Sequence, residues 1–351
     1  MTTIGIIGGG QLGRMLAMAA ARLSMRVVVL EPDATCPAAQ VATRVIAAPY
    51  DDEAALDALA ETCDLVTYEF ENVPVIAAAR LAARLPVYPP PKALEVSQDR
   101  LVEKRFLNAC GLDTARYHAV DSLEALQAAL ADFGGQGVLK TRRLGYDGKG
   151  QAVLKPGGTT AEEAFDALGH VPLIFESFVP FVREISIIAA RGTDGSIAAY
   201  DPAENIHRDG ILSTSRVPAG IDQATSAAAR TAAAAILTAL DYVGVIGVEF
   251  FVLADGRLAV NEIAPRVHNS GHWTEAACIV SQFEQHIRAV AGLPLGDTRR
   301  HSDCLMHNLI GDDVDRLTDW LATPQALVHL YGKEEARPGR KMGHVTVLSA
   351  P

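Results

Sequence analysis

Residues 3–30 constrain the fold of this 351-residue chain most. A short apolar run at 3–7 meets glycines at 8, 9, 10 and 13. An Ala/Met/Leu-rich stretch at 14–23 follows, then a second apolar run at 26–30 ending on Glu31 and Pro32. Strand, glycine turn, helix and strand in that order predict a βαβ unit. The alternation continues with a helix near 52–61, a strand at 64–70, a helix near 73–85 and a short strand before Pro89, Pro90 and Pro91. A parallel sheet of about 90 residues is expected to end at that triple proline.

Beyond it, Ser97 is expected to cap a helix running to Cys110, with Gly111 as its stop. Strand and glycine signals fill 112–190, and strands and hairpins continue to about 218. An Ala-rich helix is predicted over 222–240, a helix near 274–291 ending at Gly292, and a small C-terminal module over 300–351. At 49% hydrophobic and 21% charged the balance is that of a globular protein. A net charge of −11 argues against duplex nucleic acid as a partner. Five scattered cysteines, none in a C-x-x-C pair, argue against a disulfide framework or a zinc site. With no run of about 18 apolar residues and no signal-peptide pattern, no membrane partner is expected and the location is read as cytoplasmic.

The richest chemistry lies at 248–272. Two apolar runs, each carrying an acid, flank a turn at Asp255 and Gly256, the pattern of a β-hairpin. Glu249 and Glu262 would face one another on neighbouring strands, with Asn261 alongside. Two carboxylates and an amide make an all-oxygen site suited to Mg2+, whose shell phosphates can complete. Arg266, His268 and His272 follow at once, so anion-binding groups sit beside the metal. A surface hairpin with solvated acids is the plain alternative.

Five other segments carry weaker signals. Gly8, Gly10 and Gly13 fit a dinucleotide fingerprint, with Glu31 near the spacing of its ribose-binding acid; an NAD site, another anion at the helix N-terminus and a structural tight turn all fit. Three glycines at 145–150, with Lys140 and Lys149 nearby, allow backbone N–H groups to approach phosphate, although a surface hairpin would read the same. Residues 175–181 read as a strand entering an apolar connector that could hold adenine, followed by Glu184. His207, within 204–210, is either a site residue or a plain turn histidine, and 333–341 gathers Lys333, Arg337, Arg340 and Lys341 into a shaped anion site or a solvated face.

In order along the chain stand G-G-G-Q-L-G-R-M at 8–15, Y-E-F-E-N-V at 68–73, G-Y-D-G-K-G-Q at 145–151, N-E-I-A-P-R-V-H-N-S-G-H-W-T at 261–274 and R-P-G-R-K-M-G-H at 337–344. In these motifs the chain resembles the N5-carboxyaminoimidazole ribonucleotide synthetase family, the ATPase subunit of phosphoribosylaminoimidazole carboxylase, within the ATP-grasp superfamily. The resemblance runs through essentially the whole chain, with Val267 standing where the family pattern has proline.

It implies an α/β and α+β architecture: a Rossmann-like pre-ATP-grasp domain at 1–96, an ATP-grasp domain at 97–298 with a mobile lid over about 113–178, and a small domain at 299–351 completing the substrate site. It implies ATP, bicarbonate and aminoimidazole ribonucleotide as substrates, with Mg2+. Arg100 and Lys140 would hold ATP phosphates under a loop formed by Gly145, Tyr146, Asp147, Gly148, Lys149, Gly150 and Gln151. Glu176, Ser177, Phe178 and Val179 would form the adenine connector, Glu184 would bind ribose and His207 would line the pocket. Glu249 and Glu262 would hold the metal beside Asn261. Arg266 and His268 would orient bicarbonate or carboxyphosphate. The ribonucleotide would lie near Gly10, Gln11, Leu12 and Glu71, its phosphate gripped by Lys333 and Arg340, with Lys333 counted among the catalytic groups. A homodimer and a transient link to a mutase are also implied. The rivals are another ATP-grasp ligase, such as a formate-dependent glycinamide ribonucleotide transformylase or a biotin-type carboxylase, an NAD-dependent oxidoreductase, and a non-catalytic nucleotide binder.

Overall fold

The computed structural model describes residues 1–145 and 148–349, in three sheets. The first is a parallel sheet of four strands, in the order Arg44–Ile46, Arg26–Leu30, Thr3–Ile7 and Leu65–Tyr68. Its strands are apolar on both faces because both are covered. Ile4, Ile6, Val27 and Val29 pack on Met15 and Leu16 of the helix Gln11–Arg22. Ile7, Val28 and Leu30 pack against Leu56, Leu59 and Leu81 on the other side.

The glycine turn after the first strand already holds an anion from within the chain. Glu69, just past the fourth strand, accepts from the backbone N–H groups of Gly10 and of Gly13, the latter at 2.5 Å. Glu31 accepts from Gly9 N at 2.8 Å and from the Tyr50 hydroxyl at 2.6 Å. The NAD reading therefore fails: the helix N-terminus is filled by a carboxylate, and the acid expected on a ribose ties down the turn itself. An added Cβ at Gly10 would stand 2.6 Å from Glu69 Oε1, so glycine is required there by the close approach.

The second sheet has nine antiparallel strands. Eight run in the order Leu258–Ala264, Gly244–Leu253, Phe181–Arg191, Ala203–Arg208, Ile211–Val217, Asp303–Ile310, Lys341–Ser349 and Ala326–Leu330, and Ile197–Ala199 pairs with Phe181–Arg191. The C-terminal strands thus extend the central sheet rather than forming one of their own. The Ala-rich helix Gln223–Ala239 lays Ala229, Ala233, Ile236 and Leu237 on Ile185, Ile187, Ile246 and Val248. On the opposite face Ile188, Ala190 and Val245 meet Phe283 and Ile287. The third sheet orders Tyr117–Val120, Leu173–Glu176, Gly137–Thr141 and Gln151–Leu154. The helices Leu123–Asp132 and Ala161–Ala167 supply the rest of its core, including Leu126 and Phe165.

Two expected helices change. Ser97 ends a short helix, Pro91–Ser97, instead of capping the next one. The cap is Asp99, whose Oδ1 accepts from Leu101 N and Val102 N at 3.0 and 3.3 Å at the start of Arg100–Ala109. The same carboxylate takes a bidentate contact from Arg142, at 3.0 and 2.8 Å, which joins that helix to the third sheet. The helix expected near 274–291 is two, Thr274–Ala277 and Gln282–Val290. Cys278 between them is extended and bridges to Arg300, and Ser281 caps the second.

Glu69→Ala strands two N–H donors at a buried helix start. It is expected to lower stability by about 1–3 kcal/mol, read from urea denaturation, with Glu69→Gln losing less because one acceptor survives. An Ala variant as stable as the parent would refute the structural role of Glu69.

Candidate active site

The hairpin at 244–264 forms as its pattern dictates. Glu249 and Glu262 are direct partners across Gly244–Leu253 and Leu258–Ala264, so both side chains leave the same face of the sheet. The pairing register shifts just after Glu249. Arg100, the first residue of its helix, reaches Glu262 Oε2 at 3.0 Å. Enclosure opposes charge on Glu262, yet Arg100 outweighs it and holds the carboxyl below its ordinary range. Among the described residues Glu249 has no arginine or lysine partner, only His268 Nε2 at 3.8 Å. Burial first, then the charge of Glu262, push its carboxyl up to about 7. Two facing acids, one held ionised and one reluctant, form a site short of positive charge.

Two cavities meet at Glu262, and Glu249 lines the second of them. One, of 360 Å³, is lined by Gln11, Leu12, Glu71, Glu103, Arg266 and other residues at the junction of the first sheet with the hairpin. The other, of 310 Å³, is lined by Lys140, Glu184, His207, Glu249, Phe251 and Asn261 among others. Arg100, Glu262, His268, Asn269 and Lys341 line both. Gly145 borders the first cavity, while Gly148 and Gln151 border the second. Tyr146 and Asp147 lie outside the described residues.

In the second cavity, Glu184 and His207 Nδ1 stand 2.8 Å apart. Phe181 and Phe251 stack at 4.6 Å with their planes 17° apart, offering an apolar wall. Lys140 donates to Glu176 at 2.9 Å, and buried Lys104 lies 3.7 Å from the same carboxylate while donating to the Asn261 carbonyl at 2.9 Å. Burial opposes charge on Glu176, but the two lysines hold it down at about 2. Its side chain is thus a buried counter-ion for cations next to the cleft. Ser177, Phe178 and Val179 follow as connector, with Ser177 N donating to the Arg116 carbonyl and Val179 O accepting from Phe181 N. None of these four lines either cavity.

In the first cavity, Arg266 pairs with Glu71. Burial resists the charge on Glu71, but Arg266 brings the carboxyl to about 2. His268 Nδ1 meets Ser270 Oγ at 2.8 Å, and its Nε2 lies 3.8 Å from Glu249. Burial, aided by the Arg266 charge, depresses the ring to about 3, so it is neutral at physiological pH. Val267 is fully buried between these two residues. Gln11 and Leu12 line the cavity wall, whereas Gly10, with its N–H taken by Glu69, does not.

Lys333 and Arg340 do not border either cavity. Lys333 donates to the carbonyl of Lys341 at 2.7 Å, and Arg340 to the carbonyl of Glu335 at 2.8 Å. Burial, then the Arg340 charge, lower Lys333 to about 8. Lys149 and Gly150 likewise fall outside both linings.

Of the five residues shared by the two cavities, Asn269 has no role in the sequence reading and Lys341 only a place in the C-terminal cation cluster. Lys341 and Asn269 each face both cavities. The Asn269 amide is buried with neither polar atom bonded within the chain among the described residues. Both lie inside the quoted motifs, and that adjacency was the available signal. Phe251, next but one to Glu249, was a further clue, since alternation sends both side chains to one face.

Family models match the chain in three consecutive blocks: a ribonucleotide synthetase preATP-grasp domain at residues 1–98, an ATP-grasp domain at 105–283 and a phosphoribosylaminoimidazole carboxylase C-terminal domain at 304–350. An ATP-grasp enzyme is thereby defined. An N5-carboxyaminoimidazole ribonucleotide synthase of Brucella melitensis is 63% identical, covering 98% of this chain and 96% of the relative. The same enzyme of Pseudomonas aeruginosa is 46% identical over 99% and 94%. The ADP complex of an N5-carboxyaminoimidazole ribonucleotide synthetase superposes with a TM-score of 0.96 at 43% identity, covering 100% and 93%. An Aspergillus clavatus N5-carboxyaminoimidazole synthase in complex with ADP and 5-aminoimidazole ribonucleotide gives 0.91 at 31% identity, covering 99% and 94%. The chain belongs to the N5-carboxyaminoimidazole ribonucleotide synthase family, as its five motifs implied.

The Glu249 carboxyl is raised above its unfolded value, so folding favours its protonated form. Its contribution to stability is complete below about pH 4 and is lost as pH climbs through 7. Glu249→Gln removes that loss. In ligand-free protein without divalent cations, the variant should gain on the parent between pH 5 and pH 8 by on the order of 1–3 kcal/mol. Parallel urea-denaturation profiles for the two proteins over that range would contradict the assignment.

Proposed function

We propose that this chain carboxylates 5-aminoimidazole ribonucleotide with bicarbonate and ATP, forming N5-carboxyaminoimidazole ribonucleotide, ADP and phosphate in purine biosynthesis. The family membership supports the reaction, and one observation supports its layout: the two cavities share a wall made by Arg100, Glu262, His268, Asn269 and Lys341. ATP is assigned to the cavity of Lys140, Glu184 and His207, with adenine towards the Phe181–Phe251 stack and the 176–179 connector. The ribonucleotide is assigned to the cavity of Gln11, Leu12 and Glu71. The γ-phosphate then points at the shared wall, where bicarbonate must sit. The domain division follows the same plan: 1–96 for the ribonucleotide, 97–298 for ATP with the 113–178 segment and the 145–151 loop as lid, and 299–351 for Lys333, Arg340 and Lys341.

Glu249, Glu262 and Asn261 fit Mg2+: two facing carboxylates have one guanidinium, Arg100, between them, and the metal prefers oxygen ligands. When bound, Mg2+ would neutralise phosphate charge during transfer. The chain's own groups do the rest. Arg100 and Lys140 offset charge on the transferring phosphoryl group. Neutral His268 and the Asn269 amide can donate to bicarbonate without repelling Arg266, which Glu71 holds in place. A bicarbonate oxygen attacks the γ-phosphorus and ADP leaves, giving carboxyphosphate. Cleavage of its bridging C–O bond yields CO2 and phosphate in the closed cleft, from which water must be excluded. The exocyclic amine attacks CO2, and the departing phosphate takes the proton. Lys333 and Arg340 are assigned to the ribonucleotide phosphate; in support, Lys333 donates to the carbonyl of Lys341, which lines the first cavity.

With Mg-ATP and bicarbonate, adding aminoimidazole ribonucleotide should stimulate ADP release strongly, and Glu262→Gln should cut that turnover by about 100-fold or more. ATP binding without stimulation would keep the fold and overturn the acceptor. Near-parental turnover in Glu262→Gln would overturn the metal assignment.

A further inference from the structure

Away from this cleft, three side chains from three segments converge. His329 on Ala326–Leu330 and His344 on Lys341–Ser349 are direct cross-strand partners. Their rings stack at 5.3 Å with planes 13° apart. Glu275, on the short helix Thr274–Ala277, presents one carboxylate oxygen to both rings, 2.9 Å from His329 Nδ1 and 3.8 Å from His344 Nε2. One donor atom from each of the three lies within 4.8 Å of the others. The far nitrogen of His344, Nδ1, is fixed at 2.9 Å by the hydroxyl of fully buried Tyr331. That is the outer support a ligating histidine ordinarily has, setting ring orientation and tautomer.

We propose that Glu275, His329 and His344 form a Zn2+ site distinct from the nucleotide-cation site. Two imidazoles and a carboxylate are a zinc-type donor set, whereas the Glu249–Glu262–Asn261 set is all oxygen and suits Mg2+. Tetrahedral bonds near 2 Å put donors about 3.3 Å apart, so Glu275 must part slightly from His329 and close on His344. Glu275 can make that adjustment, since its side chain is one-third exposed while the His344 side chain is enclosed. The exposure also gives the ion a way in. The site ties Lys341–Ser349, whose first residue lines both cavities, to the helix that begins five residues after Asn269. Zinc would therefore hold two parts of the shared wall at a fixed spacing. Neither Glu275 nor His329 borders the cavities.

The test uses full-length protein dialysed against a chelator and kept in excess Mg2+ to occupy all-oxygen sites. Zn2+ is titrated by calorimetry, and Co2+ is used as a spectroscopic substitute. One equivalent is expected, with a tetrahedral Co2+ absorption band and a raised melting temperature. His329→Asn and Glu275→Gln, assayed separately, should each weaken binding about 10- to 100-fold and abolish the melting shift. Absence of saturable Zn2+ binding in the parent overturns the proposal. So does binding of unchanged affinity in both variants, which would place the metal elsewhere.

Discussion

Two carboxylates facing each other across a pair of antiparallel strands set the terms for the rest of this molecule. In the free protein the arrangement is unfavourable: Arg100 neutralises Glu262, and Glu249 is left to hold its proton up to about pH 7. Folding places the pair there because the hydrophobic alternation of both strands is satisfied only in this register, with Val248, Phe250 and Ile263 in the core on the opposite face. The cost falls on the cleft and is offset by whatever cation and phosphate enter it. A site that is electrostatically incomplete alone is suited to bind charged ligands in combination.

Around this pair, cations are held in place by buried or half-buried carboxylates. Lys104 and Lys140 share Glu176, Arg266 is locked by Glu71, and Arg142 is clamped by Asp99. Each pairing fixes the geometry of a long side chain before a ligand arrives, so less conformational entropy remains to be lost on binding. The topology contributes as well. Because Asp303–Ile310 pairs with Ile211–Val217, the C-terminal strands are continuous with the central sheet. Lys341 is thereby positioned by backbone hydrogen bonding and not by a flexible tail.

Much of this was legible in the chain. The parallel sheet follows from apolar runs spaced by glycine turn and helix, and the facing of Glu249 with Glu262 follows from period-two alternation around Asp255 and Gly256. Local signals failed where a tertiary partner decided the outcome. Asp99 outcompetes Ser97 as a cap because it also binds Arg142 from another sheet. Glu31 has the spacing of a ribose-binding acid, but Glu69, brought in by a parallel strand, occupies the anion position at the helix start. The 274–291 helix breaks because Cys278 is drawn into a bridge with Arg300 and Ser281 starts a new cap. Asn269 and Lys341 acquire their place only when distant segments form a common wall, which no local pattern encodes.

The central claim is that ATP phosphorylates bicarbonate at that wall. It is tested most directly with 18O-labelled bicarbonate in a single turnover with Mg-ATP and aminoimidazole ribonucleotide, by measuring isotope in the released phosphate. Attack of bicarbonate on the γ-phosphorus followed by C–O cleavage predicts one labelled oxygen in each phosphate. Phosphate free of label, with carboxylated product formed, would show that bicarbonate never bonded to phosphorus and would contradict the account.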